Sequence, residues 1–157
     1  MILKVKNISE IGGVVKAPPS KSYSHRAVIL ASLAKGTSRL YDMLYSEDTL
    51  ASIRVCETLG AQINKIDEYL EVIGTGGKLH NSSAEPIDLA NSGTTLRLMT
   101  SVSALSDNEV ILTGDESLQT RPMGLLMGAL QPLGIDTVSL NDNEKAPILI
   151  KPGYCGG

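Results

Sequence analysis

The feature that most constrains this fold is a weak internal repeat. Arg26 stands early in one helix-like run, and Arg97 stands early in another, 71 positions later. Leu59-Gly60 closes a second helical run in the first half, and Leu133-Gly134 does the same 74 positions later. Self-similarity of this kind implies a repeated supersecondary unit. Each half then offers two short strand candidates, 61–66 and 69–73 in the first and 135–140 and 148–150 in the second. Between the helices of each half lies one more, at 38–41 and at 110–113. A leading strand, with Ile87-Asp88-Leu89 as the candidate in the second copy, makes the unit βαβαββ. The expected fold class is therefore α/β (α+β), with repeat one over about 14–77 and repeat two over about 86–151.

Local chemistry supports the helices. Glu47 and Asp48 put acids in the first turn of the run that ends at Leu59-Gly60, where the helix dipole favours them and glycine supplies the stop. Arg121-Pro122 opens a later run with proline near the first helical position. Met123, Leu126, Met127 and Leu130 form its buried stripe, and Pro132 must fall at or beyond its end. Gly74-Thr75-Gly76-Gly77 is the best loop, lies between the repeats, and does not match a P-loop.

Composition narrows the function. The chain has 42% apolar residues but no Phe and no Trp, so its core must be built from Leu, Ile, Val, Ala and Met. A formal net charge of −3 gives no reason to expect nucleic acid or an anionic membrane as a partner. No apolar run reaches the roughly 20 residues of a membrane span. Met1 to Lys6 alternates like a strand and lacks the long apolar segment of a signal peptide. Cys56 and Cys155 are isolated and form no CxxC, so they read as free thiols of a cytoplasmic protein without a zinc site.

Three stretches carry chemistry. The first is Pro18-Pro19-Ser20-Lys21-Ser22-Tyr23-Ser24-His25-Arg26. A helix starting near Ser22 presents free N–H groups and its positive dipole end, Lys21 adds a point charge, and Arg26 lies one turn along the same face as Ser22. That combination suits a phosphate or carboxylate. The second, Asn91-Ser92-Gly93-Thr94-Thr95-Leu96-Arg97, occupies the same place in its repeat. Asn91 and Ser92 are good caps, and Gly93 lets a ligand approach the backbone closely. The third, Leu112 to Met123, ends a strand and presents Arg121 at a helix start. A cation opposes the dipole there, which an anion to be clamped would explain.

These stretches together resemble the enolpyruvyl transferases, and among them the 3-phosphoshikimate branch. The matching residues are Pro-Ser-Lys-Ser-x-Ser-x-Arg at 19–26, Asn-Ser-Gly-Thr-Thr-x-Arg at 91–97, and Leu-Thr-Gly-Asp-x-Ser-Leu-x-x-Arg-Pro-Met at 112–123. The resemblance implies an enolpyruvyl transferase fold, with about two repeat units of one globular half present. It implies transfer of the enolpyruvyl group of phosphoenolpyruvate to the 5-hydroxyl of shikimate 3-phosphate, without metal or organic cofactor. By the same resemblance Lys21, Gly93 and Arg121 bind phosphoenolpyruvate, Lys21, Ser22 and Arg26 bind shikimate 3-phosphate, and Asn91 and Thr94 support the pocket.

The chain departs from that family in length. It stops just before the family's Ser-Ser-Gln motif, so the C-terminal half, with the acid and base residues, is expected to be a missing partner. No catalytic residue is then expected in the fragment, and it should show little or no turnover alone. Two rivals stand beside this reading. The UDP-N-acetylglucosamine enolpyruvyl transferases place a reactive cysteine before the matching Arg-Pro, where 114–120 has none and Glu116 stands instead. A non-catalytic phosphate-binding module is the other. His25 reads as a packing or surface residue, His80 as exposed, Tyr23, Tyr41 and Tyr45 as packing residues, and Arg97 as a loop holder paired with a carboxylate or a source of positive potential.

Overall fold

The computed structural model describes residues 2–7, 9–10 and 12–153. The first unit runs α1 (Lys21–Leu33), β1 (Lys35–Tyr41), α2 (Glu47–Thr58), β2 (Gln62–Ile66) and β3 (Tyr69–Thr75). The second runs β4 (Ile87–Asp88), α3 (Gly93–Val102), β5 (Val110–Thr113), α4 (Glu116–Gln119), α5 (Gly124–Leu130), β6 (Thr137–Ser139) and β7 (Ile148–Ile150). Short 3₁₀ turns at Ser103–Leu105 and Gln131–Leu133 extend α3 and α5.

Two sheets result. The first is antiparallel in the order β1-β3-β2, with β1 and β3 in register from Lys35↔Thr75 to Tyr41↔Tyr69. The second has the order β4-β5-β7-β6, in which β4 and β5 are parallel and the other pairs antiparallel. Alternate residues point inward: Leu70 and Val72 on β3, Val110 and Leu112 on β5, Ile148 and Ile150 on β7. This period of two lets each sheet bury one face. Helix α1 lies on β3 and α3 on β5, while α2 touches both helices and so joins the units. One core runs through both, from Val28, Val55 and Leu59 to Leu96, Met99 and Ile150.

The structure differs from the sequence reading at several points. No described residue before Lys21 lies in a strand, so the first unit begins on its helix. In the second unit β4 is held by pairing Ile87↔Leu112 and Asp88↔Thr113. Before α1, Pro18 and Pro19 lack the N–H groups such a ladder needs. Residues 2–6 are likewise outside any strand, and Ile2, Leu3 and Val5 are exposed; Met1 and Cys155 lie outside the described residues. Gly74 and Thr75 belong to β3 rather than to a loop. A Cβ on Gly74 would collide with the carbonyl oxygens of Ala31 and Ala34, so glycine here permits close contact between strand and helix. The run after Arg121 becomes helical only at Gly124, and the polar loop before it contains the extra turn α4, capped by the Asp115 carboxylate.

Candidate functional site: two helix starts and three arginines

Both anion-site stretches are helix N-termini. Ser20 caps α1, its Oγ accepting from the Tyr23 N–H at 3.4 Å. Ser24 then anchors the turn: its hydroxyl donates to the Ser20 carbonyl and accepts from the Leu44 N–H, both at 2.9 Å. Ser92 caps α3 in the same manner, accepting from the Thr95 N–H at 3.3 Å. Lys21 and Ser22 are thus left exposed on the first turn of α1, and Thr94 on that of α3.

The two starts meet. Ser22 and Arg26 from α1 and Thr94, Arg97 and Leu98 from α3 line one open groove of about 340 Å³, with no acidic side chain in its lining. Arg26 stays on its own helix, donating from Nε to the Ser22 carbonyl at 3.1 Å and lying 5.0 Å from the Tyr23 ring centre. Arg97 donates to the Gly93 carbonyl and to the Pro122 carbonyl, each at 3.3 Å. It therefore ties α3 to the Arg121 loop through carbonyls, not through the carboxylate the sequence suggested.

Arg121 is seated on the α3 start. Its guanidinium donates to the Asn91 side-chain oxygen. A Cβ on Gly93 would collide with that guanidinium and crowd Arg97, so the missing side chain makes room for two arginines. Arg121, Gly93 and Asn91 thus form one cluster, adjacent along α3 to the groove that holds Ser22, Arg26 and Thr94. Among the described residues, none of Arg26, Arg97 and Arg121 has a carboxylate partner. Lys21 does: its Nζ is 2.6 Å from Asp48 Oδ2 on the first turn of α2.

Sequence reasoning missed Asp48 as a partner of Lys21, and it missed what lies beneath the site. His25 is 1% exposed and its Nδ1 is 2.8 Å from Ser52 Oγ. Ser52 is hydrogen bonded in turn to Thr95 Oγ1 at 2.8 Å, and Thr95 to Ser92 Oγ at 2.7 Å. The helical placement of Ser52 and the doubling of Thr94-Thr95 were visible, but not their meeting. His80 is exposed and pairs with Asp107 at 2.7 Å, which holds the Asp107 carboxyl below its ordinary range. No three His, Cys, Asp or Glu side chains among the described residues cluster as metal ligands, and none of the described helices is long and apolar enough to cross a membrane.

Known proteins agree with this architecture. The family model for EPSP synthase (3-phosphoshikimate 1-carboxyvinyltransferase) matches residues 5–157. The 3-phosphoshikimate 1-carboxyvinyltransferase of Methanobrevibacter smithii is 73% identical over 157 residues, all of this chain and 36% of that protein. That of Methanothermobacter thermautotrophicus is 50% identical over 157 residues, all of this chain and 37% of its own length. A solved EPSP synthase from Acinetobacter baumannii superposes with a TM-score of 0.82 at 28% identity, covering 90% of this chain and 32% of the solved one. The chain therefore spans about a third of the length of the relatives it matches. Its mixed helices and sheets have the α/β enolpyruvyl transferase fold, and the chain belongs to the EPSP synthase family.

Proposed function

We propose that this chain forms a substrate-binding face of an enzyme that transfers the enolpyruvyl group of phosphoenolpyruvate to the 5-hydroxyl of shikimate 3-phosphate, releasing phosphate. One observation supports this reading above all: two helix starts share a groove ringed by arginines that have no carboxylate partner among the described residues. An unneutralised guanidinium beside free N–H groups matches an anionic ligand in charge and in geometry. Lys21, Ser22 and Arg26 bind shikimate 3-phosphate; Lys21, Gly93 and Arg121 bind phosphoenolpyruvate; Asn91 orients Arg121 and Thr94 supports the groove. The chain's chemical contribution is to neutralise and align two anions.

Proton addition to the enol carbon and removal from the attacking hydroxyl need an acid and a base. In this reading they come from the further length that the relatives possess. The two units, over about 14–77 and 86–151, make up part of one half of such an enzyme, and the other half is its partner in binding. The setting is the cytoplasmic shikimate pathway that leads to chorismate and the aromatic amino acids. Titration of the isotope-labelled chain with shikimate 3-phosphate, then phosphoenolpyruvate, tests the reading by amide NMR. Shifts gathered at Lys21 to Arg26, then at Gly93 and Arg121, are expected. A well-dispersed spectrum that neither compound moves would overturn it for this chain.

A further inference from the structure

The least expected group in the molecule is His25. It is the imidazole of the phosphate-facing stretch, yet it points into the core rather than at the groove. Its Nε2 is buried and has no hydrogen-bond partner. Leaving a buried polar atom unpaired opposes folding, so the other ring nitrogen must provide something in return. That nitrogen starts a buried chain: His25 Nδ1 to Ser52 (2.8 Å), Ser52 to Thr95 (2.8 Å), Thr95 to the α3 cap Ser92 (2.7 Å), and Thr95 to the Asp48 carbonyl (3.3 Å). Ser52, Thr95 and Ser92 are fully buried. The chain crosses three helices, α1, α2 and α3.

Proton counting orders it. A hydroxyl can donate once and accept twice. The order that uses every contact has His25 Nδ1–H donating to Ser52, Ser52 and Ser92 both donating to Thr95, and Thr95 donating to the Asp48 carbonyl. The ring then carries its proton on Nδ1 and leaves a bare lone pair at Nε2. The last acceptor belongs to the residue whose carboxylate holds Lys21, and the last hydroxyl caps the helix that begins at Gly93. Every end of the relay is next to a residue of the two helix starts: His25 precedes Arg26, Asp48 grips Lys21, and Ser92 precedes Gly93 and Thr94.

We propose that His25 is a positioning residue: through Ser52 and Thr95 its imidazole fixes the α3 start, with Gly93 and Thr94, relative to the α1 start, with Lys21 and Ser22. It touches no substrate. Its role is to convert two separate helix ends into one site of set width. This inference rests on the substrate-binding reading of those ends. Polar networks of this type specify a unique arrangement where an apolar contact would tolerate sliding.

The test uses the isotope-labelled chain and three variants. In the unaltered chain the His25 ring shows the ¹⁵N signature of the Nδ1–H tautomer. Thr95→Val keeps the volume and removes the acceptor of the Ser52 proton. Ser52 then loses the acceptor that orders its hydroxyl, so the ring ¹⁵N signals move although the ring has no hydrogen bond to Thr95, a change that a packing role alone does not produce. His25→Leu moves the amide signals of Ser92, Gly93 and Thr94. It also weakens shikimate 3-phosphate binding about five-fold, the loss of one hydrogen bond of about 1 kcal/mol. His25→Asn, which keeps a polar atom at the Nδ1 position, restores binding to within about two-fold. A ring spectrum indifferent to Thr95→Val overturns the proposal, and so does a folded His25→Leu chain with unmoved Gly93 and Thr94 amides. Should His25→Leu fail to fold, the Thr95→Val ring spectrum decides alone. Absence of shikimate 3-phosphate binding by the unaltered chain counts against the functional reading, while the ring and amide signals still judge the relay.

Discussion

The Lys21 ammonium sits 2.6 Å from a carboxylate oxygen of Asp48, a contact that fastens the first turn of α1 to the first turn of α2. The lysine side chain is 50% exposed and the aspartate 28%. Asp48 therefore does two things at once: it holds the point charge of the anion site in place, and it favours its own helix start, where a negative charge belongs.

Asp48→Asn should remove both effects while keeping the shape. A half-exposed pair contributes up to about 1 kcal/mol, and an acid in a first turn about 0.3–1 kcal/mol. For a chain of this size each 1 kcal/mol lowers the melting temperature by about 2–4 °C. Calorimetry in rising salt checks the origin: the gap between the two proteins should narrow as the charges are screened. A gap that salt leaves unchanged would contradict the electrostatic account.

Gly93→Ala should separate stability from binding. The added methyl meets the end of a flexible side chain, Arg121, which can swing away. Stability should change by no more than about 0.5 kcal/mol. The Arg121 to Asn91 contact is lost, however, and the guanidinium no longer lies over the α3 start. Phosphoenolpyruvate affinity should fall about ten-fold, or about 1.4 kcal/mol. Isothermal titration together with urea unfolding of the same variant reads both quantities.

His25 should make the protein acid-sensitive. Burial lowers its pKa, against an upward pull from the Asp48 carboxylate and with a smaller downward push from Lys21. The unfolded chain, with its histidine near the ordinary value of about 6.5, binds a proton that the folded chain resists. Between the folded and unfolded values the unfolded state holds more protons, so stability rises with pH. The contribution is complete above about 6.5 and is lost as pH falls below it. Unfolding free energies measured from pH 8 to 5 should fall more steeply for the unaltered chain than for His25→Asn. Parallel curves would refute this.

Cys56 should be inert. It is 3% exposed, and burial pushes its thiol up to about 11. Only the thiolate attacks disulfide reagents, so at pH 8 a folded chain carrying Cys155→Ser should react with Ellman's reagent only after addition of denaturant. Fast labelling of the native protein would show that α2 opens readily.

Much of this was legible before any coordinates. Ser92 caps α3 because it is a short polar side chain at a place where free N–H groups require an acceptor. Strands β5 and β7 occupy the residues expected of them. The segment before α1 did not follow its counterpart, because a strand exists only where another strand's ladder accepts it. The exposed alternation of Ile2, Leu3 and Val5 finds none among the described residues.

Sequence alone determined the local chemistry: which stretches start helices, and where charge and hydroxyls stand. These depend on neighbours within a turn or two. Tertiary structure alone decided which of them meet. Asp48 reads as a helix-start acid and becomes the partner of Lys21, 27 positions away. His25 reads as a packing or surface residue and becomes the end of a relay that reaches Thr95 through Ser52, itself 43 positions from Thr95. Such contacts depend on how α2 settles between α1 and α3, and that packing is fixed by the shared core rather than by any local pattern.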